Sequence, residues 1–261
     1  MMLDERLARH LHVESLRRRE LHPEHDPHVL FQASTIGALL DGAYDGDVSF
    51  AELAEHGDLG LGTLNALDGE MIAVDGRFYR ADIEGAITEI PPATRSPFAA
   101  LAWFEPTAER RIERPLDYDE LLAELDLAAA DAEASCALRI DGEFELVRAR
   151  SVPRQSRPYR SLVEVVADQH VFELRELSGT LVGFRFPEYA QGIEVGGYHL
   201  HFISAERDRG GHVLECRIRR GVARVDLAGG LHVELPPGVA LDSPALDRAT
   251  RGAIDRVERQ G

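Results

Sequence analysis

The segment Tyr198-His199-Leu200-His201-Phe202-Ile203, followed shortly by Arg209-Gly210-Gly211-His212, predicts a β-hairpin that carries three histidines. Side chains two positions apart share one face of a strand, so His199 and His201 point the same way. The glycine-rich turn folds the next strand back alongside the first. His212 opens that second strand and is therefore expected to approach the pair.

Three imidazoles that converge from one hairpin can hold zinc or a similar divalent ion, with the fourth position open if the ion is catalytic. Leu200 and Phe202 point to the opposite face, which predicts a strand that is buried on both faces. The imidazoles should then lie inside a cavity. We predict a metal site formed by His199, His201 and His212.

Strand and turn signals on both sides of this hairpin predict an α/β fold of the α+β kind, with two strand-rich halves, mixed or antiparallel sheets and short helices. We expect a polar N-terminal arm over residues 1–28, an N-terminal α/β half over 29–135 and a C-terminal zinc-binding half over 136–261. The end of the chain is expected to fold back over the metal site.

Local signals predict the individual elements. Asp-Gly pairs favour two-residue hairpin turns, which predicts strands over Thr63–Leu67, Glu70–Val74 and Arg77–Ala81 and a further turn at Asp141-Gly142. A capping box at Ser49–Glu52 and an N-cap at Asp117 predict two helices. Further elements are expected as a helix over Leu3–Leu21, a strand over Leu162–Val166 and a helix over Gln169–Leu177.

Composition argues against several classes of protein. The chain has 46 acidic and 29 basic residues, and its net charge of −17 argues against a nucleic-acid partner. No apolar run approaches the roughly 20 residues that span a bilayer, and the first residues lack the apolar stretch of a signal peptide. The only two cysteines, Cys136 and Cys216, cannot form a disulfide framework, so we expect a cytoplasmic protein.

All 29 basic residues are arginine, because the sequence contains no lysine. Schiff-base catalysis, pyridoxal phosphate anchoring and the phosphate-binding loop each need a lysine amine. Any electrophile in this protein must therefore be a metal ion, an arginine or a backbone dipole.

Five separated stretches resemble the alpha-acetolactate decarboxylase family in their order and spacing. They are Leu30–Thr35, His56–Glu70, Arg150–Gln155 with Pro158-Tyr159, Gly197–Phe202 and Gly210–Leu214. The sequence departs from the family pattern at Gly196-Gly197, where a proline is expected before the second glycine, and at Ala205-Glu206, which replaces an acidic pair. The arm before residue 28 has no counterpart in the family.

The resemblance implies zinc-dependent decarboxylation of the small molecule 2-acetolactate to acetoin and carbon dioxide by a homodimer. It implies His199, His201 and His212 as zinc ligands, with Glu70, Arg150 and Glu258 as the polar groups around the open coordination positions. Arg150 would hold the substrate carboxylate, and a glutamate would deliver the proton that fixes the stereochemistry of acetoin. Zinc would stabilise the negative charge left when carbon dioxide departs.

Without the resemblance, the three polar residues have ordinary interpretations. On local sequence, Glu70 would be a solvated hairpin glutamate, Arg150 a surface arginine and Glu258 a charge near the end of the chain. The family's chemistry requires instead that side chains from both halves meet at the histidine hairpin.

Two other interpretations of the histidine hairpin stay open. His199 and His201 with Glu206 resemble half of a cupin metal signature, which implies a dioxygenase or isomerase, although the glycine spacing differs and the second cupin motif is missing. A structural zinc site would need a fourth ligand. Cys216 has the strand parity of His212 but lies roughly 13 Å further along the strand, too far to close the site.

Overall fold

The computed structural model describes residues 12–16, 25, 27–131, 133–187, 190 and 193–235 of the 261-residue chain. These residues form fifteen strands and four short helices. The predicted fold class is confirmed, since two strand-rich units with mixed and antiparallel sheets carry short helices between their strands. In the part of the chain that the model describes, no helix is long and apolar enough to cross a membrane.

Strands outnumber helices throughout the chain. In chain order, the elements are β1 (His12–Leu16), β2 (Val29–Ala33), α1 (Ile36–Leu40), β3 (Val48–Ser49), α2 (Phe50–Leu53), β4 (Leu59–Thr63), β5 (Glu70–Val74), β6 (Arg77–Ala81), β7 (Ile87–Glu89), β8 (Arg95–Ser96), β9 (Phe98–Ala102), β10 (Ala108–Ile112), α3 (Tyr118–Ala129), β11 (Ser135–Ser151), α4 (Leu162–Val166), β12 (His170–Phe186), β13 (Gly197–Ser204), β14 (Gly210–Ala228) and β15 (Gly230–Glu234).

The larger sheet has eight strands in the order β1-β15-β2-β9-β4-β5-β6-β7. β15 runs parallel to both β1 and β2, and the remaining neighbours pair antiparallel. β3 and β8 form a separate two-stranded sheet. A strand from late in the chain thus lies inside a sheet that is otherwise built from the first half.

The second sheet has five strands in the order β10-β14-β11-β12-β13. β13 also pairs with β14, so the strands β14, β11, β12 and β13 close into a ring. Long strands make this closure possible, since β11 and β12 have 17 residues each and β14 has 19. The closed ring fixes the register of the histidine hairpin from both sides.

The alternation of side chains along each strand decides which residues meet between the two sheets. On β5, Ile72 and Val74 pack into the core cluster between the sheets, whereas Met71 and Ala73 pack on the other side. Glu70 shares the face of Ile72 by strand parity. On β13, Ile203 belongs to the same central cluster, so the side chains of His199 and His201 are directed toward β5.

Helix predictions from capping signals are confirmed at two places. Ser49 and Glu52 form the predicted capping box at the start of α2. Asp117 caps α3 in the same way, with Glu120 as its partner, and the helix ends before Ala130 in a left-handed cap at φ 57°. At both helices the carboxylate three residues after the cap satisfies a backbone N–H that the helix leaves without an intrahelical acceptor.

The predicted turn at Asp141-Gly142 is wrong, because both residues lie in the middle of β11. Gly142 pairs with Gly179 on one side and with Gly221 on the other. A Cβ at Gly142 would lie 2.7 Å from both Arg220 O and Ile218 Cδ1. The glycine is therefore required for close approach of neighbouring strands, and not for reversal of the chain.

Four other local predictions are corrected. Residues 162–166 form α4 because Ser161 and Glu164 make a capping box, whereas the predicted helix over 169–177 is the start of β12, paired along β11. The predicted helix over 3–21 is wrong at β1, which adds to the edge of the large sheet, and its other residues lie outside the described part. The strand β4 (Leu59–Thr63) shares only Thr63 with the strand predicted over Thr63–Leu67, because Asn65–Leu67 form a 3-10 turn.

Candidate metal centre and active site

The strand register places three of the predicted site residues in one row. Arg150 on β11 is paired with His212 on β14, and His212 is paired with His201 on β13. His199 lies two positions before His201 on the same face. All three histidines are buried, with exposed fractions between 1% and 7%.

The three imidazoles form one compact cluster, as the sequence predicts. One ring nitrogen from each of His199, His201 and His212 lies within 4.8 Å of the others, so the three could hold a metal ion. The ring centroids are 5.1 to 5.3 Å apart, and the rings are inclined to one another by 56° to 73°. The rings are therefore not stacked, and one nitrogen of each lies close enough to the others to share one ion.

The backbone of the large sheet fixes the orientation of His201. Its Nδ1 lies 2.8 Å from Met71 O, and since a carbonyl only accepts, Nδ1 carries the proton and donates it. Nε2 is then the lone-pair nitrogen, and it is buried without a hydrogen-bond partner among the described residues. A buried acceptor in this state is what a metal ligand requires, so the residues present fit a metal ion.

Burial keeps His199 and His201 neutral. Burial lowers the pKa of His199 to about 3, and the positive charge of Arg150 adds to the effect. Burial, with the neighbouring His199, also holds the pKa of His201 well below its usual range. Neutral imidazoles bind metal ions, whereas protonated ones do not.

Two further predicted residues lie next to the cluster. Arg150 Nη1 donates to Glu70 Oε1 at 3.2 Å, and both side chains are buried. Glu70 Oε2 lies 3.7 Å from His201 Nε2, beyond hydrogen-bond distance. The structure thus places Glu70 and Arg150 with the histidines and rejects the solvated surface roles that local sequence suggests.

These polar side chains open into one cavity of about 40 Å³. Glu70, Arg150 and the three histidines form its polar side. Its remaining walls are largely apolar, formed by Ile36, Leu39, Leu67, Phe98, Val152 and Leu162. An apolar enclosure around a few convergent polar groups is typical of a small-molecule active site.

Comparison with known proteins agrees with this arrangement. The model of the family described as alpha-acetolactate decarboxylase matches residues 30–247. The chain belongs to the alpha-acetolactate decarboxylase family. Family membership and the geometry both favour catalysis on a small molecule, because the matched residues include the whole histidine hairpin together with Glu70 and Arg150.

Individual alpha-acetolactate decarboxylases are similar over most of their length. The protein of that name from Methylococcus capsulatus is 44% identical over 90% of this chain and 90% of its own. The one from Klebsiella aerogenes is 41% identical over 82% of each chain. The crystal structure of alpha-acetolactate decarboxylase from Bacillus subtilis strain 168 superposes with a TM-score of 0.84 at 36% identity, covering 88% of this chain and 99% of that one.

Residues of the alternative interpretations do not join the decarboxylase-family site. Glu206, which a cupin site would use, is exposed in the turn after β13 and is outside the ligand group. Cys216 packs with Val213 in the core cluster on the other side of the hairpin, since a register shift near Val213 reverses the parity expected from His212. Glu258 and the C-terminal segment expected to fold over the site lie outside the described residues.

Some residues of the site have no recognisable signal in the sequence. Met71 contributes only its carbonyl oxygen, which any residue could provide. Ile36 and Leu39 on α1 and Leu162 on α4 have the pattern of ordinary core residues, yet they line the cavity. Pairing of distant elements creates these roles, so local periodicity cannot reveal them.

Proposed function

We propose that the protein is a zinc-dependent decarboxylase that converts 2-acetolactate to acetoin and carbon dioxide. The observation that carries the proposal is the meeting of three buried histidines with a buried Arg150–Glu70 pair in one largely apolar cavity. The substrate is a small anion with adjacent ketone, hydroxyl and carboxylate groups. In this cavity Arg150 could bind the carboxylate, and the histidines would hold a metal ion that polarises the oxygen groups.

The proposed ligands are His199, His201 and His212, whose all-nitrogen donor set suits zinc. Bound zinc would supply Lewis-acid stabilisation of the negative charge that develops as carbon dioxide leaves. His199 and His201 would hold the ion without competing for protons, because burial keeps them neutral. The absence of lysine excludes an imine route to the same stabilisation.

Arg150 is proposed to bind the substrate carboxylate. A guanidinium has five N–H donors, so the same residue can hold Glu70 and a substrate carboxylate together. The apolar walls exclude water from the reacting carbon and strengthen these charged contacts. As the carboxylate becomes neutral carbon dioxide, its attraction to Arg150 weakens and release is favoured.

Glu70 is proposed to hold or move the proton that replaces the carboxylate on the reacting carbon. Its carboxylate is within reach of both the histidine cluster and Arg150. Glu258 is proposed as the second glutamate of the site. Delivery from one fixed side would make the acetoin a single enantiomer.

Location and assembly are also proposed. Both cysteines are free and buried, which is consistent with the reducing cytoplasm. A homodimer is proposed from the family resemblance, and sedimentation of the purified protein would test it. The net charge of −17 supports the proposal that nucleic acid is not a partner.

The function is tested by His201→Ala with His170→Ala as the matched control. His170 lies at the start of β12, is exposed, and contacts Ile83 O with its ring. We expect His201→Ala to lose zinc and acetoin formation together, while His170→Ala keeps both. Full zinc occupancy in His201→Ala would contradict the ligand set.

A further inference from the structure

The connection between β4 and β5 has an unusual backbone. Ala66 and Leu67 adopt φ values of 62° and 53°, in the left-handed region that favours glycine. Both side chains are buried, and Leu67 lines the cavity of the candidate site. Two consecutive left-handed residues with side chains are costly, so other contacts must hold this turn, which we name the 64–69 turn after its residues.

Asn65 provides two such contacts. Gly46 N donates to Asn65 Oδ1 at 2.9 Å, and Asn65 Nδ2 donates to Gly46 O at 2.9 Å. The amide thus binds both backbone groups of Gly46. Ala66 is held beside it, since its N–H donates to Tyr44 O at 2.8 Å and its carbonyl accepts from Gln155 N at 2.7 Å.

Gly46 is itself fixed against the strand that the turn leaves. A Cβ at Gly46 would collide with the Ser96 carbonyl, so its backbone lies directly against Ser96. The Ser96 hydroxyl donates to Thr63 O at 2.7 Å, and Thr63 is the last residue of β4. The contacts therefore close a circuit from Asn65 through Gly46 and Ser96 back to the base of the 64–69 turn.

The far end of the turn leads directly into the site. Thr63 and Glu70 are paired residues at the ends of β4 and β5, and the 64–69 turn connects them. Thr63 Oγ1 also donates to Gly69 O at 2.8 Å. A change in the conformation of the turn would displace Leu67 and Glu70 first. The histidines are on β13 and β14, and His201 is held by Met71 O, one residue further along β5.

We propose that Asn65 is a positioning residue for the decarboxylation, because it holds the left-handed turn that sets Leu67 in the cavity wall and Glu70 beside Arg150. This inference rests on the proposed function. Neither the peptide of Gly46 nor Asn65 lines the cavity, so the effect acts through the turn. Its expected signature is a lower kcat with metal binding intact.

The test measures kcat, KM and zinc content of Asn65→Ala with 2-acetolactate. Loss of two hydrogen bonds should lower kcat roughly tenfold or more, while KM stays within about twofold and zinc stays at the wild-type content. Adding Ala66→Gly should restore most of the lost kcat, because glycine adopts positive φ without steric cost. If Asn65 contributed only to overall stability, Asn65→Ala would lower the Tm and leave kcat unchanged.

Thr107→Val is the matched control for lost stability. Thr107 Oγ1 donates to Val225 O and accepts from Leu227 N, both at 3.1 Å, in a loop that contributes no side chain to the cavity. We expect a lower Tm and wild-type kcat. Should Asn65→Ala not fold, Asn65→Asp replaces it, because it keeps the acceptor for Gly46 N but loses the donor. Its kcat should fall below the wild-type value with zinc content unchanged.

Three results would overturn the role of Asn65. They are wild-type kcat in the Asn65 variants, loss of zinc in parallel with kcat, and a loss of kcat that Ala66→Gly does not restore. A wild-type protein that makes no acetoin would instead overturn the proposed function. An active wild type with an equally active Asn65→Ala would overturn only this inference.

Discussion

Arg150 and Glu70 form a buried ion pair at 3.2 Å across 80 residues of sequence. Arg150 belongs to the closed five-stranded sheet and Glu70 to the eight-stranded sheet. The pair therefore links the two sheets at the cavity. Removal of either partner would leave the other charge buried without compensation. The same pair brings an acid and a cation to the histidine cluster.

Arg150→Lys is expected to lower kcat/KM for 2-acetolactate by roughly ten- to a hundredfold. Lysine keeps the charge but loses the planar fork that can bind two carboxylates at once. Steady-state kinetics check this, with Arg154→Lys as the control. Arg154 is 69% exposed and outside the cavity lining, so that variant should match wild type. Normal kinetics of Arg150→Lys would mean that Arg150 does not clamp the carboxylate.

Glu70→Gln should keep the shape of the cavity but remove proton transfer. We expect a fall in kcat of roughly a hundredfold or more, the usual loss when a general acid or base is removed. Zinc content should stay near wild type because Glu70 is 3.7 Å from His201 and is not one of the three ligands. Glu89→Gln, at an exposed ion pair with Arg77, is the control and should be fully active.

Glu258 is predicted to act in the same cavity, although it lies outside the described residues. Glu258→Gln and deletion of residues 256–261 should each leave a folded, zinc-loaded protein with little decarboxylation. An amide cannot exchange a proton as a carboxyl group does. If the shortened chain formed acetoin at the wild-type rate, Glu258 would be a charge without a catalytic role.

Stability of the metal-free protein should fall as the pH is lowered. The folded-state pKa of His199 is about 3 and that of His201 is also far below the unfolded value of 6.5. Below pH 6.5 the unfolded chain therefore binds more protons, and each histidine lowers the free energy of unfolding by about 1.4 kcal/mol per pH unit. Urea unfolding between pH 5 and 8 measures this slope.

His201→Ala provides the comparison for that slope. The variant should lose less stability per pH unit than wild type by about one proton's contribution. Equal slopes for the two metal-free proteins would mean that His201 is protonated in the folded state. Such a residue would be a poor metal ligand at neutral pH.

The histidine hairpin could be predicted because its information is local. His199 and His201 share a strand face, and Gly210-Gly211 ends the turn that brings His212 opposite His201. The two-residue turn at Asp75-Gly76, between β5 and β6, follows from local sequence in the same way. Both residues adopt the positive φ that such a turn requires. Local sequence rules were sufficient to predict the structure wherever the local conformational preference agreed with the strand pairing of the whole fold.

Predictions failed where distant strands imposed the conformation. Asp141-Gly142 has the composition of a turn, but pairing with Gly179 and Gly221 keeps it extended. Residues 169–177 became strand because β11 offers continuous pairing along them. The burial of Glu70 and Arg150 likewise follows from contact between the two sheets, so local sequence alone suggested a solvated glutamate and a surface arginine.

Zinc titration of the metal-free protein is the most direct test of the central claim. Acetoin formation from 2-acetolactate should rise in proportion to added zinc and level off at one zinc per chain. Carbon dioxide should be released in a 1:1 ratio with acetoin. Turnover that is independent of zinc, or a plateau at a different stoichiometry, would contradict a zinc-dependent site formed by His199, His201 and His212.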